Sequence, residues 1–204
     1  MQTVKTKFFE YGETEVAWLK KADKTLGEAI ERIGKIDRVI IPDLFAALLY
    51  AIIGQQISLK AAQTVWDRLK ERFGEICPQN MAERTVEEIK ACGMTFKKAG
   101  YIKSIAEKTA NGEFKFSELY TMTDEEVIKK LSSLSGIGAW TAEMLLINSM
   151  ERPDVISWGD IAIRRGICRM YGLEELKREQ FEQYRARYSP YGSVASIYLW
   201  WLSH

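Results

Sequence analysis

Apolar residues recur at three- and four-residue spacing along nearly the whole 204-residue chain, and only four prolines interrupt them. That period belongs to amphipathic helices and argues against a sheet-based architecture, which needs period two. Helices are predicted over Glu13 to Lys21 and Thr25 to Ile33. Pro42-Asp43 opens a strongly apolar helix, Leu44 to Ile53. Gly54-Gln55-Gln56 breaks it, and Ser58 caps the next helix, which runs to about Phe73. Thr85-Val86-Glu87-Glu88 and Thr123-Asp124-Glu125-Glu126 both have capping-box spacing. Further helices are predicted over Lys97 to Thr109 (ended by Asn111-Gly112), Glu125 to Ser132, Ala139 to Met150, Asp160 to Tyr171, Glu179 to Tyr188 and Gly192 to Leu202. Val39-Ile40-Ile41 is β-prone but too short for a sheet, so the expected class is all-α.

Between two of these helices lies Leu134-Ser135-Gly136-Ile137-Gly138. Two glycines around one apolar residue read as a tight hairpin, because glycine accepts positive φ and lets another backbone approach. The amides of Gly136, Ile137 and Gly138 then stand at the start of the following helix, a ready site for a phosphate. The bland alternative is an ordinary helix–helix turn. Asp160 opens a further helix 22 residues after Gly138. By itself it reads as an N-cap, with Arg164 at i+4 as an ion-pair partner. Taken together, a phosphate-gripping hairpin and a carboxylate point to an enzyme acting on nucleic acid.

Composition narrows the chemistry. The formal net charge is +1, so any basic footprint for nucleic acid has to be local. No apolar run is long enough to span a membrane, and Met1-Gln2-Thr3-Val4-Lys5 has no signal-like apolar core. Three widely spaced cysteines, Cys77, Cys92 and Cys168, point to reduced thiols and a cytoplasmic location, nucleoid-associated in a prokaryote. The single histidine is His204, which argues against a His-based triad or His-ligated zinc.

With Leu134 in front and Ala139-Trp140-Thr141-Ala142 behind, the hairpin resembles the helix-hairpin-helix element of DNA glycosylases. Ser135 stands where that element usually has proline. Ile52-Ile53-Gly54-Gln55-Gln56-Ile57-Ser58 resembles a run in the alkylbase branch, the DNA-3-methyladenine glycosylase II type. Tyr11-Gly12-Glu13, Leu19-Lys20-Lys21-Ala22-Asp23 and Gly93-Met94-Thr95-Phe96-Lys97-Lys98-Ala99 resemble further segments of that branch. The resemblance therefore covers essentially the whole chain. It implies an all-α fold of two helical lobes with a helix-hairpin-helix motif and an active-site cleft between them. One lobe would comprise about 1–40 plus 155–204 and the other about 41–154, without the β-rich N-terminal domain of some larger relatives.

The resemblance also implies roles. Asp160 would be the catalytic carboxylate. Gly136, Ile137, Gly138 and Thr141 would hold the DNA backbone. Gln55 or Gln56 would fill the gap left by a flipped base, Gln56 being the better match. Trp140 and Tyr191 would line the base pocket, with Trp158 and Met144 beside them. Each of these aromatics has interior packing as its competing reading; Trp140, Met144 and Ile147 share one helix face. Lys97 and Lys98 read as a solvated face, and Trp200-Trp201 as packing for the last helix. Bifunctional glycosylase-lyases carry lysine where this chain has Trp140. An indole cannot form the Schiff base, so a monofunctional hydrolase is implied. The backbone carbonyls of Ser132, Leu134 and Ile137 match positions that hold a monovalent cation, Na+ or K+. No other cofactor is required, and the cysteine pattern does not provide the iron–sulfur cluster of some relatives. The expected partner is damaged double-stranded DNA, bound by a monomer. The expected reaction is hydrolysis of the N-glycosidic bond of an alkylated base such as 3-methyladenine. Two alternatives remain open: a glycosylase for uracil, hypoxanthine or mismatched bases, and a non-catalytic DNA-binding module.

Overall fold

The computed structural model describes residues 4–204, so the first three residues of the N-terminal reading lie outside the described residues. Among the described residues the chain forms twelve α-helices, one 3-10 helix and two strands of two residues each. No helix is long and apolar enough to cross a membrane. Two compact units are present among the described residues: 4–7 with 41–145, and 8–40 with 146–204.

The first unit is built on α3 (Leu44–Gly54), an apolar helix capped by Asp43, whose carboxylate accepts the Ala46 amide at 2.7 Å. Leu48, Leu49, Ile52 and Ile53 of α3 are fully buried. Burial of each is worth about 2 kcal/mol. Against α3 lie α4 (Leu59–Phe73), which Ser58 caps, and α7 (Phe96–Ala110), which Thr95 caps. Two short helices, α5 (Pro78–Ala82) and α6 (Val86–Lys90), also pack on α7. The Thr85–Glu88 capping box opens α6, and the Thr123–Glu126 box opens α8 (Asp124–Ser132). A 3-10 helix at Phe116–Thr121 and the helix α5 carry no helical period in the sequence, being too short to show one. After the hairpin comes α9 (Ala139–Asn148), and the division between the units falls within it.

The second unit holds α1 (Glu13–Ala22), α2 (Lys24–Ile33), α10 (Ile161–Tyr171), α11 (Arg178–Tyr188) and α12 (Gly192–Leu202). α12 is buried along most of its length, and α10 packs against it so closely that Gly166 meets the Leu199 backbone. A Cβ on Gly166 would stand 2.2 Å from the Leu199 carbonyl oxygen.

Two expectations are corrected. Val39-Ile40 does enter a sheet: β2 (Val39–Ile40) pairs with β1 (Lys7–Phe8), and the Phe9 amide extends the pairing to the Arg38 carbonyl at 2.8 Å. The pairing is long-range, so no local period announces it. The division between the units falls after Leu145, and residues 152–155 are fastened to α12. Gly192 N donates to Asp154, Ser193 N to the Pro153 carbonyl, and Ser196 Oγ to the Val155 carbonyl. Of the two terminal tryptophans, Trp200 carries the Arg38 guanidinium over its ring, whereas Trp201 is 52% exposed and does not pack the helix down.

Candidate nucleic-acid interface

In the first unit the hairpin forms as a turn between α8 and α9. Leu134 and Ile137 are buried, while Ser135 and Gly138 are exposed. The Ile137 amide donates to the Leu134 carbonyl at 3.1 Å, which closes the turn. Gly136 has φ +84°, the left-handed region that glycine occupies without strain. It also lies directly on the Tyr101 ring of α7; a Cβ there would be 2.2 Å from Tyr101 Cδ2. Nothing lies within 4 Å of a Cβ built on Gly138, so its face of the hairpin is open. Thr141, in the first turn of α9, is buried.

The glutamine loop belongs to the same unit. Gln55 and Gln56, equivalent by type in the sequence, are placed differently. Gln55 is half-buried, and its Nε2 donates to the Gly136 carbonyl at 2.9 Å. Gln56 is exposed at φ +58°, a left-handed conformation that costs a non-glycine residue about 1 kcal/mol. Exposed Ile57 and Leu59 continue the loop with apolar side chains. Lys98, which by sequence reads as part of a solvated face, donates from Nζ to the Ile53 carbonyl at 2.8 Å and the Gln55 carbonyl at 2.6 Å. Burial holds its ammonium below the ordinary lysine value. No sequence motif marks that role; its neighbour Lys97 is the one of the pair that is exposed.

Trp140, at the second position of α9, is 45% exposed, so the buried-core reading of this residue is not what the fold provides. Ile147 on the same helix is fully buried, and Met144 is intermediate.

In the second unit Asp160 caps α10. Its Oδ1 accepts the Ile163 amide at 2.9 Å, and the residue is only 6% exposed. A helix N-terminus complements negative charge at this position. Arg38 is the cation that feels it. Burial lowers the guanidinium from its ordinary value, and the Asp160 charge opposes that shift. Arg38 is held by Asn148, whose Oδ1 accepts from Nε at 3.1 Å, and by the Trp200 ring at 4.5 Å. The sequence reading missed Arg38, which is 122 positions away along the chain. Arg164, the local alternative partner, instead lays its guanidinium over Trp158 at 4.8 Å. Trp158 also meets Arg178 and the edge of Phe181, so its ring is engaged in packing. Tyr191, at the N-cap of α12, stands edge-on to Trp18, whose indole N–H donates to the Ser189 carbonyl. Among the described residues no group of His, Cys, Asp and Glu could hold a metal ion.

Known proteins place this geometry. The fission yeast (Schizosaccharomyces pombe) DNA-3-methyladenine glycosylase 1 is 32% identical over 161 residues, 76% of this chain and 71% of that protein. The crystal structure of a DNA-3-methyladenine glycosidase from Bacillus halodurans superposes with a TM-score of 0.82 at 31% identity, covering 98% of this chain and 92% of that one. The S. pombe 3-methyladenine DNA glycosylase in complex with abasic DNA gives a TM-score of 0.81 at 28% identity, covering 92% and 95%. Residues 49–190, which include both the glutamine loop and the hairpin as well as Asp160, match the family described as HhH-GPD superfamily base excision DNA repair protein. The chain belongs to that superfamily.

Proposed function

We propose that this chain is a monofunctional DNA glycosylase that rotates an alkylated base, such as 3-methyladenine, out of duplex DNA and hydrolyses its N-glycosidic bond. The observation that carries this reading is Asp160. A carboxylate only 6% exposed, oriented by the Ile163 amide and set within the field of the half-buried Arg38, is poorly explained as a cap alone. Family membership and the named relatives support the same reading.

The chemistry follows from the substrate. A base must leave the stack before its bond to the sugar can be attacked. The amides at Gly136 and the exposed Gly138 suit a DNA phosphate, and Gln56 suits the gap left by the base. As the bond lengthens, its electron pair leaves with the base and positive charge develops on the sugar. Asp160 stabilises that charge and orients the water that adds to the sugar carbon, taking up its proton. An alkylated purine is already cationic and leaves without a separate general acid. The half-exposed indole of Trp140 suits such a base by stacking and cation–π attraction. It offers no amine, so no covalent enzyme–sugar adduct forms. The carbonyls of Ser132, Leu134 and Ile137 fit a sodium or potassium ion. They are neutral oxygens: those of Ser132 and Leu134 stand at and just past the C-terminal end of α8, where the helix dipole is negative, and that of Ile137 lies in the hairpin before α9; the Leu134 carbonyl, which accepts the Ile137 amide, keeps a second lone pair. Such an ion would supply positive charge beside a phosphate.

Base release from methylated duplex DNA tests the reading. Asp160→Asn retains binding to an abasic-site duplex and loses base release by on the order of 100- to 1,000-fold, the scale of losing one preorganised electrostatic group. Release within threefold of the unaltered protein would refute the assignment.

A further inference from the structure

The two elements proposed to meet DNA in the first unit, the hairpin and the glutamine loop, are tied together from beneath. Helix α7 presents Lys98 and Tyr101 on one face, three residues apart. Tyr101 supports the hairpin at Gly136. Lys98 clamps the loop: its Nζ donates to the carbonyls of both Ile53 and Gln55. Gln55 closes the triangle through Nε2 to the Gly136 carbonyl. Gln56 follows immediately, exposed and left-handed at φ +58°, and Ser58 two residues on is committed to capping α4 through the Ala61 amide. Gln56 is thus held in a costly backbone conformation between anchored Gln55 and the capping residue Ser58, which is how strain is maintained at a working position.

The geometry points to Lys98 and Gln55 as positioning residues: together they set the backbone of Gln56 so that its side chain is presented for insertion into DNA while the hairpin is gripped. This rests on the glycosylase reading above. Gln55 is then a brace and Gln56 alone is the plug. The ordered backbone reduces what binding would otherwise have to organise.

The test is a double-mutant cycle on abasic-site preference, the ratio of affinities for a duplex with and without a tetrahydrofuran abasic analogue. Lys98→Met and Gln55→Leu each lower that preference by on the order of tenfold, and Gln56→Ala lowers it as much. The pair Lys98→Met with Gln56→Ala loses no more than Gln56→Ala alone, because Lys98 acts through Gln56. Lys98→Arg, which keeps a donor, restores most of the preference. In single-turnover base release, Lys98→Met raises the half-saturating enzyme concentration by a larger factor than it lowers the maximal rate. Additive losses in the cycle, or full preference in Lys98→Met, would overturn the brace. Wild-type protein that releases base and prefers abasic DNA, combined with additive losses, rejects the brace alone. Wild-type protein with neither property rejects the glycosylase reading and the brace with it.

Discussion

Replacing Gly136 by alanine perturbs two separable quantities. At φ +84° an alanine pays a backbone cost of about 1–2 kcal/mol. Its Cβ would also lie 2.2, 2.5 and 2.8 Å from Cδ2, Cε2 and Cγ of Tyr101. Carbon atoms pack at about 3.5–4.0 Å, so the ring must move by more than an ångström. Such overpacking costs about 1–3 kcal/mol. The total is about 2–5 kcal/mol, which lowers Tm by roughly 4–20 °C for a chain of this size. Thermal unfolding followed by circular dichroism measures it. In a Tyr101→Ala background the overlap vanishes and the backbone part stays. The coupling between the two substitutions should therefore be about 1–3 kcal/mol. Coupling below about 0.5 kcal/mol would refute the packing of hairpin on α7. Gly138→Ala is the companion measurement. Its Cβ meets nothing within 4 Å, so Tm stays within a few degrees, and a loss of duplex affinity would register a close approach by DNA rather than a folding defect.

Gly166→Ala places a Cβ 2.2 Å from the Leu199 carbonyl oxygen, a backbone atom that cannot rotate away, so it destabilises the second unit by at least about 3 kcal/mol in chemical denaturation. Asp23 caps α2 through the Leu26 amide and is nearly fully buried, with Arg187 and Tyr171 on its Oδ2. Burial raises the carboxyl, but the hydrogen bonds from Tyr171, Leu26 and Arg187 outweigh it and leave it below its ordinary 3.8. A depressed carboxyl contributes stability above its unfolded value and loses it as pH falls through the folded one. Stability should therefore drop below about pH 4, and Asp23→Asn should flatten that limb while costing about 1–3 kcal/mol at neutral pH. Borohydride added during turnover should trap no protein–DNA adduct; a trapped adduct would contradict the role given to Trp140.

Most helices were legible in the sequence because each carries its own local signals. The caps at Asp43, Ser58, Thr85, Thr95, Thr123 and Asp160 all accept the amides that their positions predict. The hairpin was legible for the same reason, since glycine at position 136 is demanded by a single backbone angle. What these signals share is range: a cap or a turn is satisfied within four residues.

Only the tertiary structure distinguished Gln55 from Gln56, recruited Lys98 from the apparent solvated face, and set Arg38 in the field of Asp160. It also turned Val39-Ile40 into a strand and exposed Trp140 while burying Ile147 on the same helix. These outcomes depend on partners about 30 to 120 positions away along the chain, and residue type alone does not say which carbonyl a lysine will find. The sequence by itself determined where helices begin, where the chain turns and which carboxylate opens α10. The fold decided which of those groups are braced, which are strained and which are left facing outward, because hydrogen bonds and burial are settled by what packs alongside, not by what comes next.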